Sequence, residues 1–278
     1  LITPDRFDTK SRAAKGDGDD AKKDGASTPP QKIAAGIPLG KLFPRELLIT
    51  PEIAMVHAPR SPAAERFRRL KTLLVHDATE EPNVIVVTSA LPGEGKSLVS
   101  LNLALAFAAD LPDQVLLIDA DMRRPGVNRW LKPPPMIGLK ETLAGEAELE
   151  HGLLEIRAQH LMLLPAGQPA RDPVQLLSGT YARTLIEALR GRFKKIIIDT
   201  PPVVPFTDAD IAASYSDGVV LVTRSKMTPK PLLDQAIHSV TSSRILGIVL
   251  NDATHGLADH YRNYDGYYQK YYHEEGER

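Results

Sequence analysis

VVTSALPGEGKS, residues 86–97, decides the reading of this chain. The apolar run NVIVVTS (83–89) leads into a loop holding Gly93 and Gly95, and the apolar stretch LVSLNLALAFAADL (98–111) follows. Strand, glycine loop and helix, in that order, are the context a phosphate-binding loop requires. The two glycines let the backbone turn so that its N–H groups point inward at an anion. A helix starting near Lys96 adds the positive end of its dipole. Lys96 is placed to reach the β and γ phosphates of a nucleotide, and the Ser97 hydroxyl to bind Mg²⁺. The usual spacing asks for glycine at position 90, where this chain has Ala90. A chance glycine turn before a helix is the bland alternative; the register of strand, loop, Lys-Ser and helix favours nucleotide binding.

Further apolar runs flank this unit: QVLLIDA (114–120), LMLLP (161–165), KKIIIDT (194–200), GVVLVTR (218–224) and LGIVLN (246–251). They do not alternate apolar with polar residues, which suits strands buried on both faces. Helix-length segments lie between them, among them YARTLIEALR (181–190) and KPLLDQAIHSV (230–240). The expected fold is α/β: a doubly wound, mostly parallel sheet with a P-loop, whose ligands bind at the carboxyl ends of the strands. No internal repeat is visible.

Two more strands end in carboxylates. VLLID (115–119) ends in Asp119, with Asp121 two residues on, and KIIID (195–199) ends in Asp199. At the carboxyl edge of a parallel sheet these groups face the phosphates. Mg²⁺ keeps several waters and needs only one or two carboxylates, which leaves a third to act as a base. A single strand-end Asp more often starts a turn or caps a helix. Two beside a phosphate loop favour the functional reading.

Composition narrows the classes. The 278 residues are 42% hydrophobic with a net charge of −1, enough for a sizeable core and without a global basic field for nucleic acid. There is no cysteine, so disulfides, thiolate catalysis and thiolate metal sites are excluded. No apolar run approaches the roughly 18 residues of a membrane span; Ser100, Asn102 and Asp110 interrupt the longest, which reads as a buried helix. The eight histidines show no metal-ligand spacing. The chain begins on Leu1 rather than Met, which is compatible with a piece of a longer chain whose membrane anchor lies elsewhere.

Residues 10–31 are small, charged and rich in Pro and Gly, and read as a flexible linker. Within SPAAERFRRLKTLLVH (61–76), Ser61 is a helix cap with Pro62 in the first turn. Phe67, Leu70, Leu74 and Val75 share one face, and Glu65, Arg68 and Lys71 another. On pattern alone the charged face is simply solvated.

Taken together, SALPGEGKS, LLIDADMRRP and IIIDTPPVVPFTDAD resemble the Walker A, A′ and B motifs of the bacterial tyrosine autokinases of capsule and exopolysaccharide systems. SPAAERFRRLKT resembles that family's Glu-x-x-Arg-x-x-Arg helix, with Lys71 departing from the last arginine; lysine keeps the charge and loses the bidentate fork. GLKETLAGE (138–146), LLPAGQPARDPVQLLSG (163–179) and a tyrosine-rich end also match. The resemblance spans about residues 45–278. It implies a flexible segment 1–44, an oligomer-forming helical arm 45–80, a P-loop kinase domain 81–255 and a tail 256–278. It further implies ATP and Mg²⁺, with the nucleotide on Pro92, Gly93, Glu94, Gly95, Lys96, Ser97 and Leu98, and adenine near Asn251, where a turn-forming Asn is the alternative. Lys96, Asp119 and Asp121 are the implied catalytic residues, and Ser97, Asp119 and Asp199 the metal ligands. Glu65, Arg68 and Lys71 are implied to bridge subunits of a homo-oligomeric ring. The implied partners are a membrane-anchored activator and a tyrosine phosphatase, with no nucleic acid, and the implied location is the cytoplasmic face of the membrane.

Six of the eight tyrosines, Tyr261, Tyr264, Tyr267, Tyr268, Tyr271 and Tyr272, crowd into twelve positions near the end. From Asp259 onward no aliphatic residue accompanies them, so they do not form a core. Acidic neighbours argue against a nucleic-acid platform. A helical stripe docked on a partner is one reading; phosphoacceptors for an Asp base, Asp121 before Asp119, are the better one. The competing class is a partition- or carrier-type P-loop ATPase without kinase activity. Such proteins resemble one another in a second lysine early in the loop, where this chain has Leu91. A third reading is a regulatory module in which ATP only sets assembly. Arg123 and Arg124 read equally as phosphate or subunit contacts and as plain surface arginines. Thr207 and Asp208 read as a helix cap.

Overall fold

The computed structural model describes residues 43–44, 46–47, 50–76 and 80–253; the linker 10–31 and the tyrosines from Tyr261 to Tyr272 lie outside the described residues. The strands are β1 (Phe43–Pro44), β2 (Glu46–Leu47), β3 (Val84–Ser89), β4 (Val115–Asp119), β5 (Leu131–Lys132), β6 (Leu154–Ile156), β7 (Leu161–Leu164), β8 (Lys195–Asp199), β9 (Gly218–Arg224) and β10 (Ile245–Asn251). The α-helices are α1 (Ala54–His57), α2 (Pro62–His76), α3 (Lys96–Ala108), α4 (Leu139–Leu143), α5 (Leu149–Gly152), α6 (Pro173–Ser178), α7 (Thr180–Arg190), α8 (Asp208–Ala213) and α9 (Lys230–Ser239).

Eight strands form one sheet in the order β1-β6-β7-β4-β8-β3-β9-β10, and β2 pairs with β5 in a separate antiparallel ladder. Neighbours in the large sheet are parallel except β6 and β7. All six apolar runs are strands of this sheet. The antiparallel β6 has three residues, too few to show a period of two against the surrounding sequence.

Alternation along the strands splits the core into two layers. Ile85 and Val87 of β3, with Val115 and Leu117 of β4, face one cluster, which contains α3 and residues of α1 and α2. Val84, Val86, Leu116 and Ile118 face the other, beneath α4, α6 and α7. Every residue of α3 except Lys96 and Leu98 is buried, because the sheet covers one side and the N-terminal arm the other. Fully burying each Leu or Phe there contributes about 1.5–3 kcal/mol.

In α2, Ala64, Leu70 and Leu74 are buried, while Phe67 and Val75 pack partly against the same cluster. Ser61 Oγ accepts from Ala64 N at 3.2 Å, the expected cap. The arm is pinned to α3 by Asn102, which is fully buried. Its Oδ1 accepts from Met55 N (3.1 Å), and its Nδ2 donates to the carbonyls of Glu52 (3.1 Å) and Leu98 (3.0 Å).

Strand order places the chemistry. β4, β8, β3 and β9 are adjacent, so Asp119, Asp199 and the loop after β3 emerge side by side at one carboxyl edge. Register makes this tight: Asp119 lies opposite Asp199 across β4 and β8, and Val87 opposite Asp199 across β3 and β8.

Candidate active site

The loop from Ala90 to Gly95 joins β3 to α3. Ala90 is fully buried among Val203, Ala209 and Leu221, so a methyl group has a place where the usual spacing has glycine. Gly95 has φ +92°, and a Cβ there would lie 2.1 Å from Asn251 Nδ2. The position demands glycine on both counts.

Glu94 is fully buried inside this loop. Its Oε2 accepts from Leu91 N (2.5 Å), and its Oε1 accepts from the Thr228 hydroxyl. Asn251 Nδ2 donates to Glu94 O at 2.9 Å, and Arg224 Nη1 to Gly93 O at 3.4 Å. The Glu94 carboxylate therefore shapes the loop rather than facing a ligand. Asn251, expected near adenine, buttresses the loop from the end of β10. Thr228 and Arg224 were not singled out in the sequence, because nothing near them signals a loop more than 130 residues away.

Lys96 opens α3 and donates from Nζ to Asp121 Oδ2 at 2.8 Å. Burial alone would lower its pKa, but Asp199 and Asp121 overcome that and raise it, so the ammonium is firmly charged. Asp121 is 3% exposed, and its Oδ1 accepts from Arg124 N at 3.0 Å. Arg124 itself is exposed.

Asp119 is fully buried, and both its oxygens are taken by backbone: Oδ1 by Asp121 N and Oδ2 by Val127 N, each at 3.0 Å. Expected as a catalytic residue and metal ligand, Asp119 in this structure has each oxygen on a backbone amide and folds the loop that presents Asp121. Burial, with the neighbouring Asp199 charge, pushes its carboxyl well above the usual range. Asp199 is also fully buried and raised, chiefly by burial and against the pull of Lys96. Its Oδ1 accepts from the Ser100 hydroxyl at 3.1 Å, while its Oδ2 has no hydrogen-bond partner among the described residues. Ser100 was visible in the sequence only as a polar break in an apolar run.

The loop after β4 returns over Ser97. A Cβ built on Gly126 would lie 2.2 Å from Ser97 Oγ and 3.6 Å from Asp199 Oδ2. The hydroxyl and the orphaned carboxylate oxygen thus border one small space that only glycine leaves open. Among the described residues no group of three His, Asp or Glu side chains is arranged to hold a metal ion. One hydroxyl and one free carboxylate oxygen nevertheless fit Mg²⁺, which takes its remaining ligands from phosphate and water.

The structure therefore brings together Lys96, Ser97, Asp119, Asp121 and Asp199. On the far side of α3, Glu65 and Arg68 of the arm pair with each other at 3.1 Å, and Lys71 pairs with Asp110. Thr207 precedes α8 but makes no side-chain cap, and Asp208 binds Arg123 instead. No helix among the described residues is long and apolar enough to cross a membrane.

No protein-family profile matches the chain. It is 37% identical over 230 residues to the succinoglycan biosynthesis transport protein ExoP of Rhizobium meliloti (strain 1021), covering 80% of this chain and 29% of that protein. It is 32% identical over 224 residues to tyrosine-protein kinase YwqD of Bacillus subtilis (strain 168), covering 78% of this chain and 94% of that one. The chain thus spans under a third of the first relative and nearly all of the second. Among solved structures, the kinase domain of Escherichia coli tyrosine kinase ETK superposes with a TM-score of 0.68 at 29% identity, covering 72% of this chain and 79% of that one.

Proposed function

The chain belongs to the bacterial tyrosine autokinases of capsule and exopolysaccharide systems, and from that premise we propose that it phosphorylates tyrosines of its own C-terminal segment, in trans, within a ring of identical subunits. The observation that carries this reading is the convergence of Lys96, Asp121 and Asp199 beside the loop after β3.

Backbone N–H groups from Gly93 to Ser97, with Pro92, Glu94 and Leu98 completing the loop and its helix start, cradle the phosphates of ATP. Ser97 Oγ and Asp199 Oδ2 would hold Mg²⁺, which would offset charge on the phosphate oxygens. Asp119 acts from behind by fixing the loop of Asp121. Lys96 leaves Asp121 for the phosphates, and that exchange frees the carboxylate as a base. A tyrosine oxygen then bonds to the γ phosphorus, the bond to the β–γ bridging oxygen breaks, and the phenolic proton passes to Asp121. The products are phosphotyrosine and ADP.

The remaining assignments follow the same reading. Residues 45–80 form the oligomer arm, with Glu65, Arg68 and Lys71 across the subunit boundary. Residues 81–255 form the kinase domain, and 256–278 the acceptor tail with Tyr261, Tyr264, Tyr267, Tyr268, Tyr271 and Tyr272. Each phosphate adds roughly −1.5 to −2 charges, so a modified tail repels its neighbours and loosens the ring. A membrane-anchored activator holds the chain at the cytoplasmic face of the membrane, a tyrosine phosphatase resets it, and the cycle regulates polysaccharide polymerisation and export.

The test is incubation of the purified chain with Mg-ATP, followed by mass spectrometry of the tail. Phosphate should map between Tyr261 and Tyr272 and be absent from Lys96→Met. ATP hydrolysis with no phosphotyrosine would instead identify a partition-type ATPase.

A further inference from the structure

An ion pair outside the groups assigned above joins the two loops that carry the site's carboxylates. Arg123 follows Asp121 by two residues in the loop after β4. Its Nε donates to Asp208 Oδ1 at 3.0 Å and its Nη2 to Asp208 Oδ2 at 3.1 Å, a two-pronged fork. The guanidinium also lies 4.3 Å from the centre of the Phe206 ring. Phe206 and Asp208 belong to the segment after β8, downstream of Asp199. Asp208 is fully buried, whereas the Arg123 side chain is 30% exposed.

Among the described residues the loop between Asp119 and Val127 has other ties as well: Ala120 N donates to Asp199 O at 2.7 Å, and Ala120 and Met122, on either side of Asp121, are buried. Asp119 folds it from within, Met122 O accepts from Ala170 N at 3.0 Å, and Asp121 contacts Lys96. If Lys96 transfers to a phosphate, Asp121 gives up that side-chain contact and keeps, among the described residues, the Arg124 amide. What then holds its carboxylate in place is the backbone on either side. That backbone is anchored by the main-chain bonds of Ala120 and Met122 and, two residues past Asp121, by the side-chain fork of Arg123.

We propose that Arg123, clamped by Asp208 and Phe206, is a positioning residue that keeps Asp121 aligned for proton abstraction once Lys96 has engaged the nucleotide. The inference rests on the reading of Asp121 as the base. A buried carboxylate is costly to maintain unless a partner with matched geometry satisfies it. Lysine keeps the charge of arginine but cannot reproduce the fork or lie flat on a ring. Displacements of about 1 Å at a reacting group can cost roughly a hundredfold in rate.

The experiment compares Arg123→Lys, Asp208→Asn and Asp121→Asn in the full chain. Each is assayed for the rate of phosphotyrosine formation at saturating Mg-ATP, with a Lys96→Met copy of the chain as acceptor, and for affinity toward a fluorescent ADP. The expected result for Arg123→Lys is a kcat at least fivefold lower, with ADP affinity within twofold of the parent. A smaller loss in kcat, or an ADP affinity that falls in step with it, overturns the proposal. Should Asp208→Asn fail to fold, Phe206→Leu replaces it and must also lower kcat selectively. Full activity in Asp121→Asn would instead sink the base assignment. An inactive Asp121→Asn beside a fully active Arg123→Lys would remove the clamp alone.

Discussion

Asp119 and Asp199 face each other across β4 and β8, both fully buried at the edge where β3 hands over to the phosphate-binding loop. Ionising both in one low-dielectric site is unfavourable, and burial raises both carboxyls, Asp119 the more strongly. Burial therefore favours the protonated form of each carboxyl, and a bound cation would favour the charged form.

Asp199→Asn should make the nucleotide-free protein more stable and its kinase inactive. The folded pKa of Asp199 lies above the unfolded one, so between those values the folded state holds more protons. Parent stability then falls as pH rises from about 4 through the folded pKa, and the Asn variant escapes that loss. Calorimetry should show the Tm gain of the variant growing with pH across that window. Each kcal/mol corresponds to roughly 2–4 °C in a domain of this size. A Tm difference that is flat or reversed would show that the carboxylate is not strained.

Gly126→Ala places a methyl group against Ser97 Oγ and beside Asp199 Oδ2. Overpacking of this kind costs about 1–3 kcal/mol of stability. The larger effect should be on the ligand, with Mg-ATP affinity at least tenfold weaker by titration calorimetry. Unchanged affinity would mean that the space over Gly126 is not where the cation binds.

Asn102→Ala leaves Met55 N and the Glu52 carbonyl without their buried partner. The expected cost is about 2–6 kcal/mol, since each of the two unsatisfied groups costs roughly 1–3. Hydrogen exchange should quicken across residues 50–58, while amides of β3 and β8 stay protected. Uniform loss of protection would show that the arm and the sheet unfold as one unit.

Lys71 contacts Asp110, whose side chain is 65% exposed, so the pair adds at most about 1 kcal/mol to the subunit. Lys71→Ala should leave Tm within roughly 2–4 °C of the parent. If Glu65, Arg68 and Lys71 bridge subunits, alanine at each should shift sedimentation toward monomer. Parent-like sedimentation of all three variants would remove the arm from the interface.

Much of this was legible in the chain. Five of the six strands show as continuous apolar runs because they are buried on both sides and have no polar face to advertise; β10 carries the same pattern but lies at the sheet edge, only partly buried, with Leu250 47% exposed. The phosphate loop and its Lys-Ser pair were legible because a strand, a turn and a helix start are local events. Ser100 and Asn102 stood out as polar residues in an apolar helix, yet their partners did not, since a lone residue in a sequence does not name what lies 50 or 99 positions away. Spacing alone puts Glu65, Arg68 and Lys71 on one stripe of α2, but Lys71 turns instead to Asp110, a contact 39 positions away.

What the sequence determined by itself is the architecture and the inventory of the site: an α/β sheet, a phosphate loop, and three carboxylates at strand ends. Tertiary structure decided the surroundings of each carboxylate. Among the described residues both Asp119 oxygens accept backbone amides, Asp121 faces Lys96, and the Asp199 Oδ2 atom beside Ser97 lacks a hydrogen-bond partner. The reason is physical: propensity and burial pattern are properties of contiguous residues, whereas the charge state and free valence of a side chain depend on the dielectric and the donors that packing brings to it.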